Sequence, residues 1–168
     1  MRASRTVLLL LAAAGVVQIL HYYPLLPERM ASHFDGSGRP NGFQSREAFV
    51  ALSAAMLVMT VVMFGGLGAL FRRIPSKWFN LPNRDYWLAP ERREETIEHM
   101  SSQLEWLGAA SLSLYVFVIQ MVVETNRTSE PRLDSGSMFL VLGLFFAYTT
   151  IWIVRFLLRF RKPRPDVS

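Results

Sequence analysis

Four apolar stretches dominate the chain: residues 6–23, 48–71, 104–123 and 137–158. A helix that crosses a bilayer needs about 20 mostly apolar residues, and each stretch meets that need. Gln18 and His21 interrupt the first near its end, and Glu105 and Arg155 are the formal charges within the others. The third starts weakly at residues 108–113 and recovers over 114–123. The pattern predicts an all-α fold: a polytopic membrane protein with four transmembrane helices, forming a single membrane domain over residues 1–168.

The first stretch fits two readings. A basic start at Arg2 and Arg5, an apolar run and Ala12-Ala13-Ala14 resemble a secretory signal that is cleaved near residue 14. The apolar run continues through Val16, Val17, Ile19 and Leu20, which favours an uncleaved signal anchor.

Lysine and arginine in short loops mark the cytoplasmic side. Thirteen of the 18 basic residues lie in the N-terminal tail, in loop 72–103 and at the C-terminal end. The other five are Arg29, Arg39 and Arg46 in loop 24–47 and Arg127 and Arg132 in the third loop. The expected topology is therefore N-in/C-in, in the inner (plasma) membrane, with 24–47 as an outer loop and 72–103 as an inner loop. Trp78, Trp87, Trp106 and Trp152 fall near the inner interface, where an amphipathic ring is favoured.

The loops carry more than linkers need. Pro24 and Pro27 impose an extended backbone, and Glu28–His33 is predicted as one helical turn. Gly36, Gly38, Pro40 and Asn41-Gly42 mark tight turns. Phe34 and Phe43 predict a compact cap over the outer helix ends. In the inner loop Trp78, Phe79, Tyr86 and Trp87 alternate with Lys77, Arg84 and Asp85, which suits the headgroup level. Pro90 is predicted to open a helix whose early turns hold Glu91, Glu94 and Glu95. Only Gly108 could interrupt it before Val123, so the third span extends inward as one helix of about 34 residues, roughly 50 Å at 1.5 Å per residue.

Composition agrees. Of 168 residues, 51% are apolar and 18% charged, against about 25% charged in a soluble domain. This argues against a disordered chain and a typical soluble enzyme. The net charge is +5, but the basic residues lie between apolar blocks, so nucleic acid is not the expected partner. Absence of cysteine excludes disulfides, thiolate nucleophiles and Cys-based zinc sites.

The string Tyr23-Pro24-x-Leu26-Pro27, followed by His33-Phe34-Asp35-x-x-Gly38 and Asn41-Gly42, resembles the signature of domain of unknown function 1648. That bacterial and archaeal membrane domain also begins the SdpI-type immunity proteins. Asn80-Leu81-Pro82-Asn83-Arg84-Asp85-Tyr86-Trp87 and Pro90-Glu91-Arg92-Arg93 resemble the cytoplasmic loop of its short members. The resemblance implies a membrane helix, a surface loop and a second helix, with no agreed enzymatic activity and no cofactor.

Polar groups at membrane depth are costly and face a bundle interior or water. Gln18 and His21 share a face of the first helix, as Gln120 and Glu124 do of the third. With His33 and Asp35 above them they form a candidate outer pocket for a cation, proton or other ligand. His21, His33, Asp35 and Glu124 would supply an N/O metal set; the competing reading is snorkelling and loop hydrogen bonds. Ser37 lacks a nucleophile elbow, and Gly65-Gly66-x-Gly68 reads as close helix packing rather than a phosphate loop. Arg84, Trp87 and Arg92 are the candidate inner contact surface for a membrane or cytoplasmic protein. The basic residues from Arg155 onward attract anionic lipid at about 1 kcal/mol each, and Asn126-Arg127-Thr128 has the form of a glycosylation sequon. The leading expectation is a non-enzymatic protein with a sensing, immunity-like or accessory regulatory role. The alternative is a membrane enzyme or a small transporter subunit, which a homodimer could complete.

Overall fold

The computed structural model describes residues 2–161. Its helices are α1 (Ala3–Tyr22), α2 (Arg46–Arg73), the single turn α3 (Arg84–Trp87), α4 (Arg93–Asn126) and α5 (Ser135–Arg161). All but α3 are long and apolar enough to cross a membrane. The protein is a mostly helical, multi-pass membrane protein, and each predicted span falls on one long helix, the first ending one residue beyond α1.

The helix α4 is the central element. Its 34 residues match the predicted inward extension. Its start differs: the backbone N–H groups of Arg92 and Arg93 both donate to the Ala89 carbonyl, at 3.0 and 2.9 Å. This turn places Pro90 just ahead of the helix instead of in its first position. The core of α1, α2 and α4 centres on Leu8, Leu57 and Leu112. Small residues set its spacing. A Cβ on Gly108 would lie 2.6 Å from Phe64 Cβ, and one on Gly68 2.7 Å from Ser101 Oγ. Gly66 has open space beside it, so of the glycine cluster in α2 it is Gly68 that packs tightly. Ser111, Ser113 and Thr60 bond carbonyls one turn back, which satisfies their hydroxyls in an apolar layer.

The outer loop corrects the expected helical turn. Arg29–Phe34 (β1) and Pro40–Ser45 (β2) form an antiparallel hairpin. Register shifts flank His33, which pairs with Gly42, while Ala31 pairs with Phe43. A strand wins over a helix here because a third element satisfies its outer edge. Asn126 Oδ1 accepts from the Ala31 N–H at 2.7 Å, and Asn126 Nδ2 donates to the Ala31 carbonyl at 2.8 Å. Met30 and Ala31 are thereby buried with Leu26, Phe49, Val122 and Val123 beneath the cap. The hairpin leads into α2 through Ser45, whose Oγ accepts from the Ala48 N–H at 3.1 Å.

The last helix, α5, lies beside α4, and its apolar window is not buried within the chain. It is pinned at both ends. On the hairpin side the Leu133 N–H donates to the Gly38 carbonyl at 2.9 Å. At the other end Asn83 Nδ2 and Trp87 Nε1 donate to the Phe160 carbonyl at 3.0 and 3.1 Å. Residues 162–168 of the basic tail lie outside the described residues.

Candidate functional sites at the two ends of the bundle

At the hairpin end, parallel packing of α1 and α4 brings three of the six predicted pocket residues together. Gln18 Nε2 donates to Gln120 Oε1 at 2.8 Å. Gln120 Nε2 donates to Glu124 Oε1 and to the Tyr22 hydroxyl oxygen, both at 2.8 Å. Tyr22 completes the chain by donating to Glu124 at 3.3 Å, and Arg127 lies 3.2 Å from the same carboxylate. Sequence reasoning missed Tyr22, although it lies one helical turn after Gln18 and so shares its face.

The other three residues stand apart from this chain. His21 meets Tyr22 edge-on, with ring centroids 4.8 Å apart. His33 pairs with Ser32 Oγ at 3.1 Å and packs across the hairpin on Gly42. Asp35 builds the hairpin turn: its Oδ1 accepts from the N–H groups of Ser37 and Arg39 and from Ser37 Oγ, at 2.7 to 2.9 Å. The Ser37 hydroxyl first, then the Arg39 amide, hold its carboxyl below the usual range. His33 and Asp35 instead line a cleft of about 390 Å³ with Val118, Met138 and Phe139. Among the described residues no three His, Cys, Asp or Glu come together as a metal set. The proposed quartet of His21, His33, Asp35 and Glu124 is therefore not assembled.

The opposite end holds a charge cluster that sequence reasoning did not assemble. Glu105, 1% exposed, takes Arg2 Nη2 at 2.9 Å and Arg5 Nε at 3.0 Å on one oxygen. Its other oxygen accepts from Ser4 at 2.6 Å, and Ser102 donates to Ser4. Arg5 also reaches the Gly65 carbonyl of α2 at 2.9 Å. The signal was present as a lone acid in a span whose neighbouring span begins with two arginines.

Of the three predicted contact residues in loop 72–103, Trp87 is placed differently from the expectation. It is 4% exposed and packs edge-on against Phe160. Burying the ring while its N–H caps α5 satisfies both halves of the indole. Arg84 pairs with Asp85 at 3.0 Å and donates to the Lys77 carbonyl. Arg92 stacks on Tyr86 at 4.1 Å.

The stretch from Leu8 to Leu57 thus forms a helix, a hairpin and half a helix, and it carries the spaced prolines, histidine and glycines. Residues 8–57 match the family model described as a domain of unknown function, DUF1648. This segment is similar to the DUF1648 family. No curated protein and no solved structure matches the chain. The geometry gives the DUF1648 motif a structural account. Gly38 has φ +80° and a Cβ there would collide with the Leu133 carbonyl. A Cβ on Gly42 would sit 2.9 Å from that of His33. The DUF1648 hairpin is completed from outside the matched segment, by Asn126 and Leu133.

Proposed function

We propose that the protein is a non-enzymatic regulator of the bacterial plasma membrane, with a sensing, immunity-like or accessory role. Its topology is N-in/C-in, and the DUF1648 hairpin faces outward as a rigid recognition cap. The observation that carries this reading is how the hairpin's polar groups are used. Asp35 of the motif is committed to the turn, and the strand edge at Ala31 is taken by Asn126 from outside the motif. The hairpin instead exposes a basic–aromatic pair, and a second lies at its base. Arg29 lies 4.6 Å over Phe43, which is 51% exposed, and the half-buried Arg46 at the start of α2 lies 4.9 Å over Tyr23. Such pairs suit a protein or peptide partner, because arginine and aromatic rings dominate contact energies.

A photocrosslinking residue in place of Phe43, and another in place of Arg84, tests this in native membranes. The expected result is a reproducible protein or peptide adduct from at least one position. Adducts to lipid alone from both positions overturn the reading. A cysteine placed at Ser37 of the naturally cysteine-free chain checks orientation. Labelling only from the cytoplasm reverses it.

A further inference from the structure

Between its two anchors α5 touches α4 where Trp152 Nε1 donates to the Gln103 carbonyl at 3.0 Å, and a crevice remains along the seam. At the arginine-rich end this is a cleft of about 330 Å³ whose lining includes His99, Trp106, Trp152, Arg155 and Arg159. Toward the hairpin end lies an apolar trough of about 400 Å³, lined among others by Ala110, Leu114, Phe117, Val141 and Phe145. Tyr148 lines both compartments. On α4 the lining positions His99, Trp106, Ala110 and Phe117 recur at helical spacing, so both compartments open on one face. From Trp106 in the cleft to Phe117 in the trough the two compartments together run roughly 16 Å along the helix axis at about 1.5 Å per residue.

No acidic residue lines the cleft, and Glu95 stands in the adjoining pocket beside His99 and Arg159. Arg155 makes no hydrogen bond or ion pair with any described residue, and Arg159 lies 4.6 Å over the Trp87 ring. A guanidinium offers a planar fork to phosphate oxygens, and the Trp and Tyr rings suit the level where headgroup meets chain. A soluble anion would use the basic cleft alone, and a neutral alkyl chain the trough alone. The two compartments meet at Tyr148, so together they match an amphiphile with an anionic head and a long apolar tail. We propose that the α4–α5 crevice binds one anionic glycerophospholipid. Its phosphate sits against Arg155 and Arg159, and an acyl chain lies along the trough past Phe117 and Phe145. The lipid then supplies the packing that the chain leaves open along α5. This site is independent of the partner read from the hairpin.

The test is native mass spectrometry of the full chain released from bilayers of mixed phosphatidylcholine and phosphatidylglycerol. One phosphatidylglycerol should be retained per chain in preference to phosphatidylcholine. Arg155→Gln removes a side chain with no bond to the described residues, so folding is preserved; it should weaken retention about fivefold, and Arg155→Lys should restore part of it. Ala110→Phe should also lower retention by filling the trough. Equal retention of the two lipids, unchanged retention in Arg155→Gln, or full displacement by inorganic phosphate overturns the proposal. So does a homodimer that buries α5 without retained lipid.

Discussion

The side-chain amide of Asn126 pairs with both backbone groups of Ala31, as a neighbouring strand would. Its Nδ2 also reaches the Val122 carbonyl at 2.8 Å. Both residues are buried, so no water can substitute. Asn126→Ala leaves a buried N–H unpaired and should cost about 1–3 kcal/mol. Asn126→Asp keeps an acceptor but sets a carboxylate against a carbonyl, and should cost at least as much. Thermal unfolding in detergent and hydrogen exchange at the Ala31 amide measure both effects. Unchanged protection of Ala31 in Asn126→Ala would show that the pair holds nothing. The same burial predicts that Asn126 is a poor glycosylation acceptor despite its sequon.

Gly38 couples the two loops at the hairpin end. Its positive φ and its contact with Leu133 make a side chain there doubly unfavourable. Left-handed backbone alone costs a non-glycine residue roughly 1–2 kcal/mol. Gly38→Ala should therefore free loop 127–134 from the hairpin and speed its proteolysis, while α1 and α2 stay folded. Gly36, with open space around it, is the control: Gly36→Ala should leave the cleavage rate unchanged.

Asp35 and Asp134 give this end a defined acid limit. Asp134 caps the start of α5 by accepting from Ser137 Oγ at 2.6 Å and from the Gly136 N–H at 3.0 Å. Hydrogen bonds to the ionised form lower both carboxyls, chiefly those from Ser37 and Ser137. Folding therefore favours the charged form, and the contribution is fully present above the unfolded value of about pH 4. It is lost as pH falls through the lower folded values. Amide exchange at Ser37, Arg39 and Ser137 should stay flat from neutral pH to about pH 4 after intrinsic-rate correction and rise only below it. Loss of protection at higher pH would assign the turns to some other group. Asp35→Asn keeps an acceptor and should remove the acid dependence of Ser37 and Arg39.

Apolar periodicity reads the spans because each long helix is decided by its own residues and the bilayer. It also reads α4 through the headgroup region, since nothing between Glu94 and Val123 except Gly108 breaks a helix. The hairpin is less legible. Glu28–His33 is short, and its residues tolerate a helix; the strand is decided by Asn126, far along the chain. Trp87 shows the same limit. A buried clamp and an interfacial anchor share one aromatic–basic pattern, and only contact with Phe160 separates them. Helix spacing puts Gln120 and Glu124 on one face of α4, where Gln18 meets them; it puts His21 with Gln18 as well, and His21 stands apart against Tyr22. It could not show that Asp35 turns its carboxylate toward its own loop.

Arg2 and Arg5 count toward membrane orientation, yet the structure gives them a second role. They neutralise Glu105 at a depth where an isolated carboxylate is costly. Through this contact the first turn of α1 is fastened to α4, and through Arg5 and Gly65 to α2. Removing one partner of a buried pair costs about 3–5 kcal/mol. The arginine side chains are 28% and 39% exposed and can turn toward water, so Glu105→Gln should fall near the lower end. Glu105→Leu removes the acceptors for Ser4 as well and should cost more. Melting temperature in detergent gives the ranking, and proteolysis between Arg2 and Leu8 shows whether α1 has come loose. A Glu105→Gln protein as stable and as protease-resistant as the parent would mean that the hydroxyl bonds, not the charges, hold this end together.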